Sequence, residues 1–115
     1  MILNIGNSDK ILKSPILDDN YPKNETVSIH NSITSEVVIS TEGYPASYTY
    51  QWYKDGNAVS GATSSSYTFT PTTVGTITLY CEVTNKAGTV ISRTATITAS
   101  SHSTLQSSST IHTQL

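Results

Sequence analysis

Apolar and polar residues alternate along much of the chain between residues 26 and 99, and turn-forming residues separate the alternating runs. Successive side chains of a β-strand point to opposite faces of the sheet, so a period of two predicts strands that bury one face. The clearest run covers residues 76–84 and places four residues on the inner face: Ile77, Leu79, Cys81 and Val83. Short alternating strands with turns between them are typical of a β-sandwich or a barrel.

Six further strands are predicted, over residues 26–30, 35–41, 48–54, 58–59, 66–70 and 89–99. The strand over residues 48–54 places three aromatic residues on one face: Tyr48, Tyr50 and Trp52. The last strand is predicted to bury Ile91, Ala95, Ile97 and Ala99. Tight turns are expected at Asp55-Gly56 and over residues 85–88, because glycine tolerates the positive φ that such turns need.

The alternation fails at both ends of the chain. Residues 1–25 are predicted to be irregular, since Pro15 and Pro22 discourage a continuous helix. Serine and threonine supply 9 of the 16 residues over 100–115, a composition typical of a flexible or extended segment. We therefore divide the chain into an N-terminal arm over residues 1–25, a sandwich over residues 26–99 and a Ser/Thr-rich tail over residues 100–115.

The arm contains large aliphatic residues, which a solvated linker would have little reason to keep: Ile2, Leu3, Ile5, Ile11, Leu12, Ile16 and Leu17. Such residues need somewhere to be buried. Either the arm folds over its own sandwich, or it docks onto another subunit, where an extended arm can add a strand to an exposed sheet edge. The sequence leaves both alternatives open.

Charged residues make up only 12% of the chain, about half the usual share, while serine and threonine supply 37 of the 115 residues. The net charge of −2 argues against a nucleic-acid partner and against electrostatic docking to an anionic membrane. No apolar run approaches the roughly 20 residues of a membrane-spanning helix, so we expect no membrane insertion. The first residues do not resemble a signal peptide, and we expect synthesis in the cytoplasm without Sec export.

Three motifs resemble an immunoglobulin-like domain: Y-x-Y-x-W-Y-K-D-G over residues 48–56, G-A-T-x-x-x-Y-T-F-T-P over residues 61–71, and V-G-T-x-T-L-Y-C-x-V-T-N-x-x-G over residues 74–88. The resemblance covers about two-thirds of the chain. It implies an all-β fold, an immunoglobulin-like β-sandwich with two antiparallel sheets and about seven strands. It also implies that Trp52 lies on the third strand of that fold, and that Cys81 lies in the facing sheet and packs against it.

Two departures from the family pattern narrow the set of immunoglobulin-like domains that this chain resembles. The partner cysteine is missing, because Cys81 is the sole cysteine, and Ile39 or Val38 is expected in its place. Leu79 stands where the family has a conserved corner tyrosine. The chain is therefore similar to the cysteine-poor immunoglobulin-like domains of bacterial surface proteins and tailed-phage virions, with a core built on Trp52, Cys81, Ile39 and Leu79.

No sequence pattern supports a catalytic or metal-binding role for the cysteine, histidine or aspartate side chains. Cys81 lies in an apolar alternation, where a thiol is expected to be buried, protonated and inert. The histidines lack metal-ligand spacing, and the Asp18-Asp19-Asn20 stretch lacks the spacing of a calcium loop, so a solvated turn is expected there. We predict that the protein is not an enzyme and that it uses no cofactor or metal.

Three tyrosines are predicted to face outward or to lie in loops: Tyr44, Tyr53 and Tyr80. Tyrosine can stack on sugar rings or anchor a protein interface. The competing interpretation is that Tyr53 and Tyr80 are cross-strand neighbours that stabilise their sheet.

These observations lead to the expectation of a virion structural or decoration protein of a tailed phage, made in the bacterial cytoplasm. It would attach to other virion proteins through the N-terminal arm, as part of a multimeric assembly, and would reinforce the capsid or tail or adhere weakly to host-cell glycans. The alternative is a carbohydrate- or protein-binding module of a protein on the bacterial cell surface.

Overall fold

The computed structural model describes residues 11–101, and within that range every regular element is a β-strand. The strands are β1 (Ile16–Leu17), β2 (Glu25–Ser28), β3 (Ile33–Glu36), β4 (Ile39–Thr41), β5 (Thr49–Lys54), β6 (Asn57–Ala58), β7 (Ser66–Phe69), β8 (Gly75–Asn85), β9 (Gly88–Ile91) and β10 (Ala95–Ser100). None of the described residues forms a helix that could cross a membrane. The all-β class predicted from the alternation is confirmed.

The strands form two layers. The larger sheet has the order β2-β10-β8-β5-β6, and β9 extends it by pairing with the last residues of β8. The other layer contains the antiparallel pairs β3-β7 and β1-β4, in which β3 and β4 follow each other along the chain. Every pair is antiparallel except β2-β10, which is parallel. The expectation of two purely antiparallel sheets therefore holds apart from the edge strand β2.

The core lies between the layers and is built mainly from the inner face of the larger sheet. Its fully buried residues from that sheet include Trp52, Leu79, Cys81, Val83 and Ile97. The opposite layer contributes buried Ile33 and Val37, with Ile39 packed partly buried at the margin of the cluster. Packing of this kind stabilises the domain without a disulfide, since Cys81 is a free thiol.

Trp52 and Cys81 are direct register partners on the adjacent strands β5 and β8. The prediction that they lie close together is therefore met, but the prediction that they belong to facing sheets is wrong. Trp52 instead reaches the opposite layer by stacking on Tyr67 of β7, with ring centroids 6.1 Å apart. Its indole Nε1 donates a hydrogen bond of 2.8 Å to the Ser64 carbonyl, which satisfies the one polar atom of the buried ring.

The last strand is interrupted, and the prediction of one continuous strand over residues 89–99 is wrong. Ser92 turns its hydroxyl inward, where it accepts a hydrogen bond of 3.0 Å from the Cys81 amide. The interruption adds a residue and reverses the alternation, so Ile91 is 60% exposed while Ala95 is fully buried. Such an insertion is how a bulge redirects side chains within a ladder.

The paired part of the sandwich begins well before residue 26. Lys13 and Tyr44 exchange backbone hydrogen bonds, and β1 pairs with β4. Leu17 packs against the core, and Pro22 is fully buried. Part of the predicted irregular arm is therefore a short strand, and that part folds over its own sandwich, which is one of the two alternatives that the sequence left open. The arm residues Ile2, Leu3 and Ile5 lie outside the described part of the chain.

Candidate interaction surfaces

The one thiol is held in an unreactive state. Cys81 is fully buried, and burial raises the pKa of its thiol to about 12. The protonated thiol makes a long contact of 3.6 Å with the Glu82 carbonyl oxygen. Since the thiolate is the nucleophilic form of cysteine, Cys81 is a packing residue at neutral pH.

The acidic and histidine side chains of residues 11–101 form no group of three that could hold a metal ion. The Asp18 carboxylate instead accepts a hydrogen bond of 2.9 Å from the Asn20 amide, which closes a local turn. Asp55 accepts hydrogen bonds from the amide and the hydroxyl of Thr78 at 2.9 and 3.4 Å, and it thereby fixes the hairpin that follows β5.

Tyr53 and Tyr80 are brought together on the outer face of the larger sheet. They are register partners, and their rings stack with centroids 4.8 Å apart and an interplanar angle of 6°. The Tyr53 hydroxyl donates a hydrogen bond of 3.1 Å to the Glu82 carboxylate. That hydrogen bond is the main cause of the raised pKa of Tyr53, because it stabilises the protonated phenol.

The stacked geometry limits what this tyrosine pair can bind. One face of each ring is covered by the other ring, and the Tyr53 hydroxyl is already engaged with Glu82. Stacking of a sugar on an aromatic residue requires an open ring face. The register and stacking are those of a cross-strand contact that stabilises a sheet, and they leave one face of each ring unavailable to a ligand.

Tyr44 lies apart from this pair. It belongs to the loop between β4 and β5 and is 38% exposed, whereas Tyr53 lies near the far end of β5. The three tyrosines singled out from the sequence thus do not form one site. Of the three, Tyr44 is the one that lies in a loop and is exposed to solvent.

Large apolar side chains are exposed in β1 and in the segment before it, where Lys13 pairs with Tyr44. Ile11, Leu12 and Ile16 are 66%, 51% and 60% exposed. We call the surface formed by Ile11, Leu12, Ile16 and Tyr44 the N-terminal apolar edge. These residues lie on two segments that pair with each other. Contiguous exposed apolar surface is typical of interaction sites.

The backbone beneath the N-terminal apolar edge is firmly held. Lys13 donates to the Tyr44 carbonyl at 2.9 Å, and Tyr44 donates to the Lys13 carbonyl at 2.8 Å. The Ser40 hydroxyl donates to the Ile16 carbonyl at 3.1 Å. The apolar side chains are therefore presented on an ordered frame, while Leu17 of the same segment packs inward.

Asn85 joins this frame to the end of β8, a role that local patterning did not indicate, because its partners are distant in sequence. Only 6% of its surface is exposed. Its Nδ2 donates to the Lys13 carbonyl at 2.8 Å and to the Pro45 carbonyl at 3.1 Å, and its Oδ1 accepts from the Ala87 amide at 3.0 Å. One side chain thus joins the segment before β1, the loop before β5 and the β8-β9 turn.

Gly43 completes the same junction. A Cβ at this position would collide with the Lys13 carbonyl and would lie 2.8 Å from Asn85 Nδ2. Absence of a side chain lets the two backbone segments approach each other. Local patterning indicated only a turn here, because the contacts join residues that are distant in sequence.

The larger sheet and the opposite layer, formed by β3-β7 and β1-β4, together define an immunoglobulin-like β-sandwich. Several solved structures with this kind of fold are similar to this chain. The PKD domain of human KIAA0319 is 11% identical with a TM-score of 0.61, over 80% of this chain and 86% of that one. The N-terminal Ig1-2 module of the Drosophila receptor protein tyrosine phosphatase DLAR is 14% identical with a TM-score of 0.61, over 78% of this chain and 47% of that one.

The fibronectin(III)-like modules of Clostridium thermocellum CbhA are 11% identical with a TM-score of 0.57, over 80% of this chain and 50% of that one. This chain therefore spans about half the length of the DLAR and CbhA structures. Identities this low show a shared fold. No protein-family model matches the chain, and no curated protein matches it.

Proposed function

We propose that this chain is a non-enzymatic structural module of a tailed-phage virion, attached to other virion proteins through the N-terminal apolar edge. The observation that carries the proposal is the exposure of Ile11, Leu12 and Ile16 on a backbone that is hydrogen-bonded into the sandwich. Burial of one such aliphatic side chain contributes about 1.5–3 kcal/mol. Burial of all three against another protein would therefore contribute part of the free energy that offsets the cost of association.

The rest of the described surface suits display toward solvent. The outer face of the larger sheet carries exposed threonines on neighbouring strands: Thr26, Thr76, Thr78, Thr96 and Thr98. Their hydroxyls keep this face hydrated with few charges. Tyr44 offers an open ring for weak adhesion to host glycans, and Tyr53 and Tyr80 support the sheet.

The absence of catalytic activity belongs to the same proposal. Cys81 is buried and protonated, and the carboxylates of Asp18 and Asp55 accept hydrogen bonds that fix turns. The phage setting is supported by the sequence resemblance to cysteine-poor immunoglobulin-like domains of tailed-phage virions. The similar solved structures bear on the fold of the module and not on this setting.

The alternative is a carbohydrate- or protein-binding module of a bacterial surface protein. It is favoured by one observation, that the chain spans about half of similar structures that contain tandem modules. In that case the protein would be found in the cell envelope of the bacterium.

Reconstitution on particles tests the proposal directly. Phage particles that lack the protein are mixed with the purified full chain and sedimented. The wild-type chain is expected to sediment with the particles, and a chain with Ile11→Ser, Leu12→Ser and Ile16→Ser is expected to stay in the supernatant. Val74→Ser is the matched control, since Val74 is 61% exposed but lies at the opposite end of the sandwich, before β8.

Two results would contradict the proposal. One is equal sedimentation of the wild-type and the triple-serine chains. The other is detection of the protein by mass spectrometry in the host cell envelope and its absence from purified virions, which would favour the alternative.

A further inference from the structure

The strand β7 has an open edge within the described part of the chain. It pairs with β3 on one side, and no other strand of the described residues pairs with it. The Val37 amide donates to the Ser65 carbonyl at 3.0 Å, which fixes the hydrogen-bonding phase of the antiparallel pair β3-β7. The backbone groups of Tyr67 therefore point toward β3, and those of Ser66 and Thr68 point away from it.

An open groove of about 280 Å³ borders this edge. It is lined on one side by Ser66, Tyr67 and Thr68, and on the other side by residues 60–64. Ser66 and Thr68 are both exposed. Their outward-pointing amides and carbonyls are therefore accessible to a further strand.

The strand β7 carries none of the features that normally keep edge strands apart. Its sequence, Ser-Tyr-Thr-Phe, contains no charged residue and no proline, and its register with β3 has no bulge. Natural edge strands are protected by charges, prolines, bulges or short length. The edge strands of the larger sheet have such protection, because β2 begins at Glu25 and β6 is only two residues long.

The charges around β7 suit a second copy of the same chain. Residues 56–81 contain no Asp, Glu, Lys, Arg or His, so pairing of two copies of β7 brings no like charges together on the strand itself. Glu36 is the register partner of Ser66 on β3. At the other end of β7, the Lys54 amine lies 5.3 Å from the centre of the Phe69 ring. Antiparallel pairing places the Glu36 end of one copy beside the Lys54 end of the other, which is a favourable arrangement of opposite charges.

Symmetric antiparallel pairing also satisfies the outward-pointing backbone groups of β7. When Tyr67 of one copy lies opposite Tyr67 of the second copy, Ser66 of each copy lies opposite Thr68 of the other. Residues paired in this phase exchange two N–H···O hydrogen bonds. The two Tyr67 side chains then form a cross-strand aromatic pair, which is a stabilising contact in a sheet.

We propose that two copies of this chain associate through the open edge of β7, in a symmetric antiparallel pair with Tyr67 opposite Tyr67. The smaller layers of the two sandwiches are thereby joined into one continuous sheet. A two-fold contact of this kind uses the same surface on both copies and is closed, so it yields a dimer.

The contact leaves the N-terminal apolar edge free and goes beyond the proposed function. The Val37 amide bonds on the β7 side, whereas the carbonyl of the next residue, Val38, accepts a hydrogen bond of 2.8 Å from the Asp18 amide beside β1. Successive residues of an extended strand direct their backbone groups to opposite sides. The dimer therefore presents two N-terminal apolar edges, which increases its avidity for a particle with repeated attachment sites.

Amide hydrogen exchange of the full chain, measured by NMR at about 20 µM and at about 1 mM, tests the proposal. The Ser66 and Thr68 amides donate to the second copy, so they should exchange at least about twofold more slowly at the higher concentration for a dissociation constant of about 1 mM or less. The Tyr67 amide, which points toward β3, is the internal control and should not change with concentration. Equal exchange of Ser66 and Thr68 at the two concentrations, whether slow or fast, would overturn the proposal.

Two substitutions of Thr68 separate the outward amide from the side chain. Thr68→Pro removes an amide that points away from β3, a position at which an edge strand tolerates proline. This variant should stay monomeric in sedimentation velocity at about 1 mM, with native protection of the Tyr67 amide as evidence that it is folded. Thr68→Ala is the matched control, because it loses the same hydroxyl contact of 2.7 Å with Thr34 but keeps the amide, and it should dimerise like the wild type. Equal association of the two variants would contradict the proposal, and the exchange measurement on the wild type does not depend on either of them.

An isotope-filtered NOE measurement tests the register. The sample contains equal amounts of ¹³C-labelled and unlabelled chain at about 1 mM. The Cα atoms of a non-hydrogen-bonded antiparallel pair lie about 4.5 Å apart, so an NOE is expected between the Tyr67 Hα atoms of the two copies. Absence of this NOE in a sample that sediments as a dimer would overturn the proposed pairing.

Discussion

Replacement of Asn85 by alanine should weaken both the fold and the presentation of the N-terminal apolar edge. The substitution removes the two hydrogen bonds donated by Nδ2 and the one accepted by Oδ1. The Lys13 carbonyl keeps its bond from the Tyr44 amide, so it remains satisfied. The Pro45 carbonyl and the Ala87 amide lose the partners that Asn85 provides.

The expected loss follows from those two groups. A buried polar group left without a partner costs about 1–3 kcal/mol. Pro45 and Ala87 are half-buried, so water satisfies them in part, and the lower end of that range applies to each. We expect Asn85→Ala to reduce the free energy of unfolding by about 2–3 kcal/mol.

Asn85→Asp separates hydrogen bonding from packing, because its side chain has nearly the same shape. The carboxylate would face the carbonyl oxygens of Lys13 and Pro45, which disfavours its charged form and raises its pKa in the folded protein. The free energy of unfolding of this variant should therefore be lowest above the raised pKa. It should rise as the pH falls from the raised pKa to the ordinary pKa of aspartate, and the recovery should be complete below the ordinary pKa.

Urea denaturation at pH 7 and at pH 3.5 provides the assay, with the wild-type chain at each pH as the reference. Lys86→Ala is the control, since Lys86 is an exposed residue of the same turn and its loss should change stability by less than about 0.5 kcal/mol. A loss below about 0.5 kcal/mol for Asn85→Ala would refute the interpretation of Asn85 as the fastening residue.

Three further predictions concern the core and the outer face. Cys81 should react with a thiol reagent in urea but not in the native protein. Between pH 9 and 12 the thiol should lower the free energy of unfolding by up to about 1.4 kcal/mol per pH unit, because the unfolded thiol ionises first. Cys81→Ala in the same denaturation series should show a shallower pH dependence, since its remaining slope comes from the tyrosines with raised pKa. Ser35→Ala should be neutral or stabilising in urea denaturation, because the buried Ser35 hydroxyl has no hydrogen-bond partner. Tyr53→Phe should change stability little, because water can replace the exposed hydrogen bond to Glu82, and it should leave glycan binding on an array unchanged. Tyr44→Ala should abolish the glycan binding proposed for the wild type.

The two-layer fold could be predicted because its main signal is local. In β8 the alternation placed Leu79, Cys81 and Val83 on one face, and all three are fully buried. The same reasoning failed at Ser92, where one inserted residue reverses the alternation and exposes Ile91. Ile91 and Ala95 are four positions apart, so counting by twos could not reveal the interruption.

The interaction surface was harder to predict because its construction depends on contacts between distant residues. Asn85 and Gly43 each look like ordinary turn residues in the sequence, and their importance lies in their contacts with Lys13. The outward direction of Tyr53 and Tyr80 followed from alternation. Whether their ring faces were open depended on the register between β5 and β8, which the sequence does not specify.

Imaging of the protein in its native assembly by electron cryomicroscopy tests the central claim most directly. The account predicts density for the sandwich on a virion, with Ile11, Leu12 and Ile16 buried against a neighbouring protein and the threonine face of the larger sheet turned to solvent. A sandwich bound through its threonine face, with those three aliphatic residues left in solvent, would contradict it.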